Sequence, residues 1–192
     1  MAAPHRIRDS ALIDALEKIT PVPFDGVAWR VVRRGRDVLM CSAAGGRWDD
    51  GTFDVLYVSQ KADGAIAERY FHLSRGLPVF PSRPIYTLFE LRVSMNRVLH
   101  LADISAIARL GVDTSRYGAL SYADRKDEYP RTQDVGETAL FLGFDGLIVP
   151  SARWDCANIV IFCDRVPPDK YEVIRDHGLL DWTEWQKKPF GF

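Results

Sequence analysis

The alternation of apolar and polar positions divides the chain into short elements of two periods. Residues 10–19 set Leu12, Leu16 and Ile19 on one helical face, and Pro21 and Pro23 stop that helix and lead into a strand at 27–32. Cys41–Gly51, rich in Gly, Ser and Asp, reads as a loop, and the apolar, β-branched run Phe53–Val58 as a strand. The helical period returns over Ala62–Ser74, with Ile66, Tyr70 and Leu73 on one stripe and Gly76 and Pro78 beyond its end.

After a proline-rich loop at 78–84, Ile85, Phe89, Leu91 and Val93 share one parity while Glu90 and Arg92 take the other, which predicts a half-buried strand. A second, shorter strand is predicted at 97–101. Asp103 then caps a helix through Leu110, with Gly111 as its stop. Residues 117–131 are polar, aromatic and without period, and read as a long surface loop of the kind that often carries function. A helix follows from Thr132, with Val135, Ala139 and Leu142, closed by Gly143. Short apolar strands at 147–149 and 159–162 come next. Pro167 and Pro168 open a last amphipathic helix carrying Tyr171, Ile174, Trp182 and Trp185. Strands outnumber helices and do not alternate with them, so the predicted class is α+β, a mixed sheet flanked by helices. No repeat or linker interrupts the chain, and one domain over 1–192 with a core at about 24–163 is expected.

Composition narrows the function classes. Hydrophobic content of 47% with 27% charged residues is ordinary globular usage, which sets aside disordered and membrane-embedded chains. The formal net charge of -1 supplies no global field for nucleic acid, so direct nucleic-acid binding is not expected. Cys41, Cys156 and Cys163 lack metal-like spacing and read as buried thiols in a reducing compartment. The charged N-terminus has no apolar run, and a cytoplasmic location follows as the expectation. His5, His72, His100 and His177 are scattered, and no metal is expected. Dinucleotide-fold, P-loop, zinc-protease and serine-hydrolase motifs are absent.

One constellation carries chemistry. Gly45-Gly46-Arg47-Trp48-Asp49-Asp50-Gly51 presents a guanidinium and an aromatic face on backbone that can approach a ligand closely. Tyr57 shares strand parity with Val55 and Phe53. Glu68 lies beside the apolar stripe of its helix rather than at the centre of the polar face, and Arg30 follows Trp29 in the first strand. Ser151 follows Pro150 at the end of an apolar strand, where it reads on its own as turn chemistry.

Taken in order, Trp29-Arg30, the glycine–arginine loop, Tyr57, Ala65 to Glu68, Thr132-Gln133 with Gly136, Pro150-Ser151-Ala152-Arg153, and Asn158 with Phe162 resemble the RES family, named for its arginine, glutamate and serine. The resemblance runs from about Phe24 to Phe162. It implies a fold similar to ADP-ribosyltransferases and a toxin that consumes NAD+ as substrate, paired with a helix-turn-helix antitoxin of the Xre type that occludes the active site. It further implies that Arg30 and Arg47 anchor the pyrophosphate and ribose, Tyr57 lines the nicotinamide pocket, Glu68 is the catalytic carboxylate and Ser151 bonds the nicotinamide ribose or amide. Where family members often carry an aromatic after the first arginine, this chain has Val31, with Trp29 on the other side.

Cleaving the nicotinamide–ribose bond passes through an oxocarbenium-like state, and nicotinamide leaves without general-acid help. A single carboxylate opposite the developing charge, with arginines on the diphosphate, therefore suffices. For the acceptor of ADP-ribose, a protein is the expected choice, given the long loop and the aromatic C-terminal segment, with Asp124, Asp127 or Glu128 as acceptor-orienting candidates. NAD+ glycohydrolysis or phosphorolysis is the alternative. An RNA-targeting toxin using Arg33, Arg34 and Arg36, or a non-catalytic nucleotide-binding module, are the rivals from other classes.

Overall fold

The computed structural model describes residues 8–74, 85–115, 117–118 and 125–186, with the side chains of 125–128 outside that description. The strands are β1 (Val22–Arg33), β2 (Val55–Ser59), β3 (Tyr86–His100), β4 (Gly146–Pro150), β5 (Ala157–Phe162) and β6 (Tyr171–Leu179). The helices are α1 (Ser10–Glu17), α2 (Ala62–Ser74), α3 (Ile104–Ala108), α4 (Arg125–Phe141) and α5 (Trp182–Gln186).

The pairings β1-β2-β5-β4-β3 return to β1, so the sheet nearly closes on itself. β1 and β3 run antiparallel from Val22↔Val98 to Arg33↔Tyr86, whereas β1 meets β2 only at Trp29↔Ser59. The other edge of β3 is shared, by β6 along its first half and by β4, in parallel, along its last residues. The single β1–β2 pair marks the place where the two halves of the sheet diverge. A crevice there is inevitable, because strands that splay leave side chains of both facing a common space.

Side-chain parity gives this sheet two buried faces. Val55, Val160, Phe162, Leu147 and Val149 pack with Leu12, Leu16, Ile107 and Val135 beneath α1, α3 and α4. Leu56, Val58, Ile148, Ile159 and Ile161 point the other way, into a core with Ala28, Leu91, Val93 and Met95. Burial on both faces explains why β4 and β5 are continuously apolar rather than alternating. Each such side chain contributes about 1.5–3 kcal/mol on leaving water. A third cluster holds α2 between β1 and α5, with Val31, Ala65, Ile66, Tyr86 and Trp185 buried together.

The α+β class stands, and so do α1, α2 with its predicted bounds, and the Asp103 cap, whose carboxylate accepts from Ala106 N at 2.8 Å. Three expectations are corrected. The two strands expected at 85–93 and 97–101 are one, β3, because Ser94 and Met95 keep their register with Asp25 and Phe24. Beyond that register, Asp145 Oδ2 accepts from Asn96 N and Arg97 N at 2.8 and 2.9 Å, so a side chain takes over from the missing strand partner. The loop expected through Arg131 is already helical from Arg125, and α4 runs through Pro130 at the loss of one backbone bond. The last amphipathic helix is instead a 3-10 turn at Pro168–Lys170, the edge strand β6 and the five-residue α5.

The cysteines are also corrected. Cys41 and Cys163 form a disulfide, and only Cys156 is a free thiol, its pKa pushed up by burial. Among the described residues, no helix is long and apolar enough to cross a membrane.

Candidate active site

The crevice at the β1–β2 divergence opens into a cavity of about 330 Å³, lined by Trp29, Arg30, Arg47, Tyr57, Glu68 and Asn158 among others. Five parts of the chain bring the residues that matter most here. β1 brings Arg30, the loop before β2 brings Arg47, and β2 brings Tyr57. α2 supplies Glu68, and β5 supplies Asn158.

Glu68 lies at the middle of α2, on the cavity wall. Its Oε1 accepts from Ser151 Oγ at 2.9 Å and from Asn158 Nδ2 at 2.8 Å. No described donor takes Oε2, which leaves that oxygen for a ligand. The helix itself is fixed from behind by α5, where Trp185 Nε1 donates to Asp63 at 3.2 Å and packs on Tyr70. Ser151 Oγ also accepts from Arg153 N at 3.1 Å, so the hydroxyl is held from both sides. Ser151 touches the carboxylate but is not among the cavity-lining residues, whereas its neighbours Pro150, Ala152 and Arg153 are.

The Arg47 loop is organised by Asp49, which is fully buried. Its carboxylate accepts from Gly45 N at 2.8 Å, Gly46 N at 2.7 Å and the Tyr57 hydroxyl at 2.8 Å. Burial and the adjacent Asp49 charge push the Tyr57 phenol well above its ordinary pKa, so it stays a donor. Tyr57 Oη in turn accepts from Trp48 N at 3.0 Å. Gly45 turns the chain at φ +72°, and a Cβ on Gly46 would lie 2.7 Å from both Asp49 Oδ2 and Tyr57 Oη. The close approach that Gly46 permits is thus to the loop's own anchor, while Gly45 supplies the left-handed turn with open space around it.

Gln133 of α4 completes the brace, its Nε2 donating to Gly46 O and Asp49 O at 2.8 and 3.1 Å. Above the loop, the Arg47 guanidinium lies over the rings of Tyr117 and Tyr129, 4.6 and 5.1 Å from their centroids. Tyr117 is fixed by donating to Pro150 O at 2.8 Å.

Arg30 reaches the cavity but also clasps its own side of the fold. It donates to Val38 O, and to Met40 O at 3.3 Å from each terminal nitrogen. Burial, then the nearby charge of Arg69, pushes its pKa down to about 10, so it is still a cation at neutral pH. Trp29 lines the same wall, backed by His177, which pairs with Glu90 at 2.8 Å.

All five expected site residues therefore converge, although Ser151 meets Glu68 rather than open space. Asp49, Gln133 and Asn158 stood in the sequence pattern without a role. Tyr117 and Tyr129 were missed, and their only signal was to be two of the three tyrosines in a segment read as loop. Asp124 and the side chains of Asp127 and Glu128 lie outside the described residues. Among the described residues, no group of three or more His, Cys, Asp or Glu side chains is placed to hold a metal.

Residues 27–183 match the RES domain family. The chain belongs to the RES family. No curated protein matches the sequence. Among solved structures, the RES chain described here is similar to one in the crystal structure of the M. tuberculosis MbcT–MbcA toxin–antitoxin complex, with a TM-score of 0.75 and 20% identity, over 93% of this chain and 97% of that one. At that identity the likeness is one of fold.

Proposed function

We propose that this RES protein is the toxin of a toxin–antitoxin pair and cleaves the nicotinamide–ribose bond of NAD+. The observation that carries the reading is Glu68, oriented by Ser151 and Asn158 with Oε2 open, on the wall of a cavity that also takes Arg30 and Arg47. Arg47 and Arg30 hold the diphosphate through charge-assisted bonds, and Trp29 and Tyr57 wall the nicotinamide end. Glu68 Oε2 grips a ribose hydroxyl and stabilises positive charge at the anomeric carbon as neutral nicotinamide departs with the bonding electrons.

Of the features that favoured a protein acceptor, Trp185 is buried against α2, and residues 125–131 belong to α4 rather than to a loop. We take the acceptor to be either a protein, as expected, or a small molecule, water or phosphate, entering the same cavity. With NAD+ as substrate, we take the toxin to act in the cytoplasm. The likeness to a chain of a toxin–antitoxin complex supports an antitoxin partner, which we take to be of Xre type and to cover the cavity mouth.

Glu68→Gln keeps the shape and both Oε1 contacts but removes the charge. Its kcat is expected to fall about 100- to 1,000-fold, the usual cost of losing an oriented electrostatic stabiliser. Nicotinamide release from NAD+, followed with and without phosphate and with cell extract, reads both the cleavage and the acceptor. Undiminished turnover in Glu68→Gln would sink the assignment.

A further inference from the structure

The cavity contains an arginine that the family pattern does not include. Arg69 follows Glu68 on α2 and lines the same space. Its Nη2 reaches the Val31 carbonyl at a long 3.4 Å, and the Tyr86 ring covers the guanidinium at 5.5 Å from its centroid. Its Nε is buried with no hydrogen-bond partner. No described carboxylate lies within ion-pair distance of Arg69 or of Arg30, whose own donors point to the Val38 and Met40 carbonyls.

Such an arrangement is unfavourable in the protein alone. A half-buried cation without an ion-pair partner and a buried donor without an acceptor each cost free energy, which the nearby charges of Glu68 on Arg69 and of Asp37 on Arg30 offset only in part. Burial pushes the Arg69 pKa down, and the Arg69 charge does the same to Arg30. An anion between the two would relieve all of these costs together. The donor set also fits a tetrahedral oxyanion, since the Nε–Nη edge of a guanidinium matches two oxygens of a phosphate.

We propose that Arg69, together with Arg30, forms a phosphate subsite that receives one phosphate of the diphosphate bridge. This rests on the nucleotide reading of the cavity and sharpens it, by adding to the Arg30–Arg47 pair a positioning contact one residue from the carboxylate. Glu68 and Arg69 then act from adjacent positions of one helix, so a phosphate on Arg69 fixes how far the anomeric carbon lies from Glu68.

The test is binding of inorganic pyrophosphate and ADP-ribose to the full chain, for wild type, Arg69→Met and Arg69→Lys, alongside the melting temperature of each without ligand. Arg69→Met is expected to melt at or above wild type, because it removes a half-buried charge without an ion-pair partner and a buried donor without an acceptor. Its affinity for pyrophosphate falls about tenfold to a hundredfold, as for a lost hydrogen bond to a charged group. Arg69→Lys keeps a cation without the fork and loses several-fold. A purely structural arginine gives the opposite result, a lower melting temperature with ligand affinity intact, and that overturns the proposal. So does pyrophosphate binding that is equal in wild type and Arg69→Lys. If pyrophosphate binding depends on Arg69 while NAD+ stays uncleaved, the subsite stands and the cleavage reading falls. Cleavage of NAD+ with unchanged ligand affinity in both variants keeps the cleavage reading and removes the subsite.

Discussion

At the scale of single residues, Ser151 is the position whose role changes most between pattern and structure. The family resemblance makes it a ligand contact, yet its hydroxyl donates to Glu68 Oε1 at 2.9 Å while accepting from Arg153 N. It aims the carboxylate. Ser151→Ala is therefore expected to lower kcat about tenfold, in line with losing one hydrogen bond to a charged group, and to leave KM nearly unmoved. Steady-state kinetics on NAD+ checks this, and a raised KM at constant kcat would return Ser151 to the ribose. Asn158, the other donor on Oε1, was legible only as one letter of a pattern. Its neighbours along β5 are apolar, and nothing local says that its amide crosses to a helix ninety positions earlier in the chain.

Among the elements, α4 does most to shape the site and was the least legible. Pro130 reads as a breaker, and the segment before it lacks an apolar period, so local pattern starts the helix at Thr132. In the fold, α4 is tied to the N-terminal segment by Arg8–Glu137 at 2.6 Å and Arg131–Asp9 at 2.8 Å, contacts with no trace in local pattern. It presses on the Arg47 loop so closely that a Cβ on Gly136 would lie 2.0 Å from the Trp48 carbonyl oxygen. In an exposed helix, Gly→Ala adds about 0.5–1 kcal/mol of stability. Here Gly136→Ala is expected to destabilise by about 1–3 kcal/mol, because the carbonyl cannot yield without moving Arg47. Urea denaturation gives the sign directly, and a stabilised variant would mean that α4 and the loop are farther apart in solution. The β6 strand was misread for a different reason. Tyr171 and Ile174 satisfy a helical spacing, and an edge strand with one buried residue shows little alternation to argue against it.

For the molecule as a whole, two long-range closures define the site. One is the return of the sheet from β3 to β1, which leaves the crevice at Trp29↔Ser59. The other is the Cys41–Cys163 disulfide, joining positions 122 apart and fastening the start of the Arg47 loop to the end of β5. Cys163→Ser, or reduction of the wild type, is expected to lower the unfolding free energy by about 2–4 kcal/mol through the freed denatured chain. The urea midpoint with and without reductant measures this, and thiol titration of the native protein gives the pairing. Identical midpoints in both conditions would show the two thiols unpaired in solution.

The sequence by itself determined the α+β class, the α2 helix with Glu68, the glycine–arginine loop and the family, because each rests on local period, turn chemistry or the order of short motifs. Tertiary structure alone decided that Asp49 anchors the loop, that Ser151 and Asn158 share one oxygen of Glu68, and that Tyr117 and Tyr129 enclose Arg47. It also decided that Arg69 lines the same cavity as Arg30. The physical reason is common to all four. Each depends on the distance between side chains from different elements, which is set by how the sheet closes and how the helices pack on it, and neither is written in the spacing of residues along the chain.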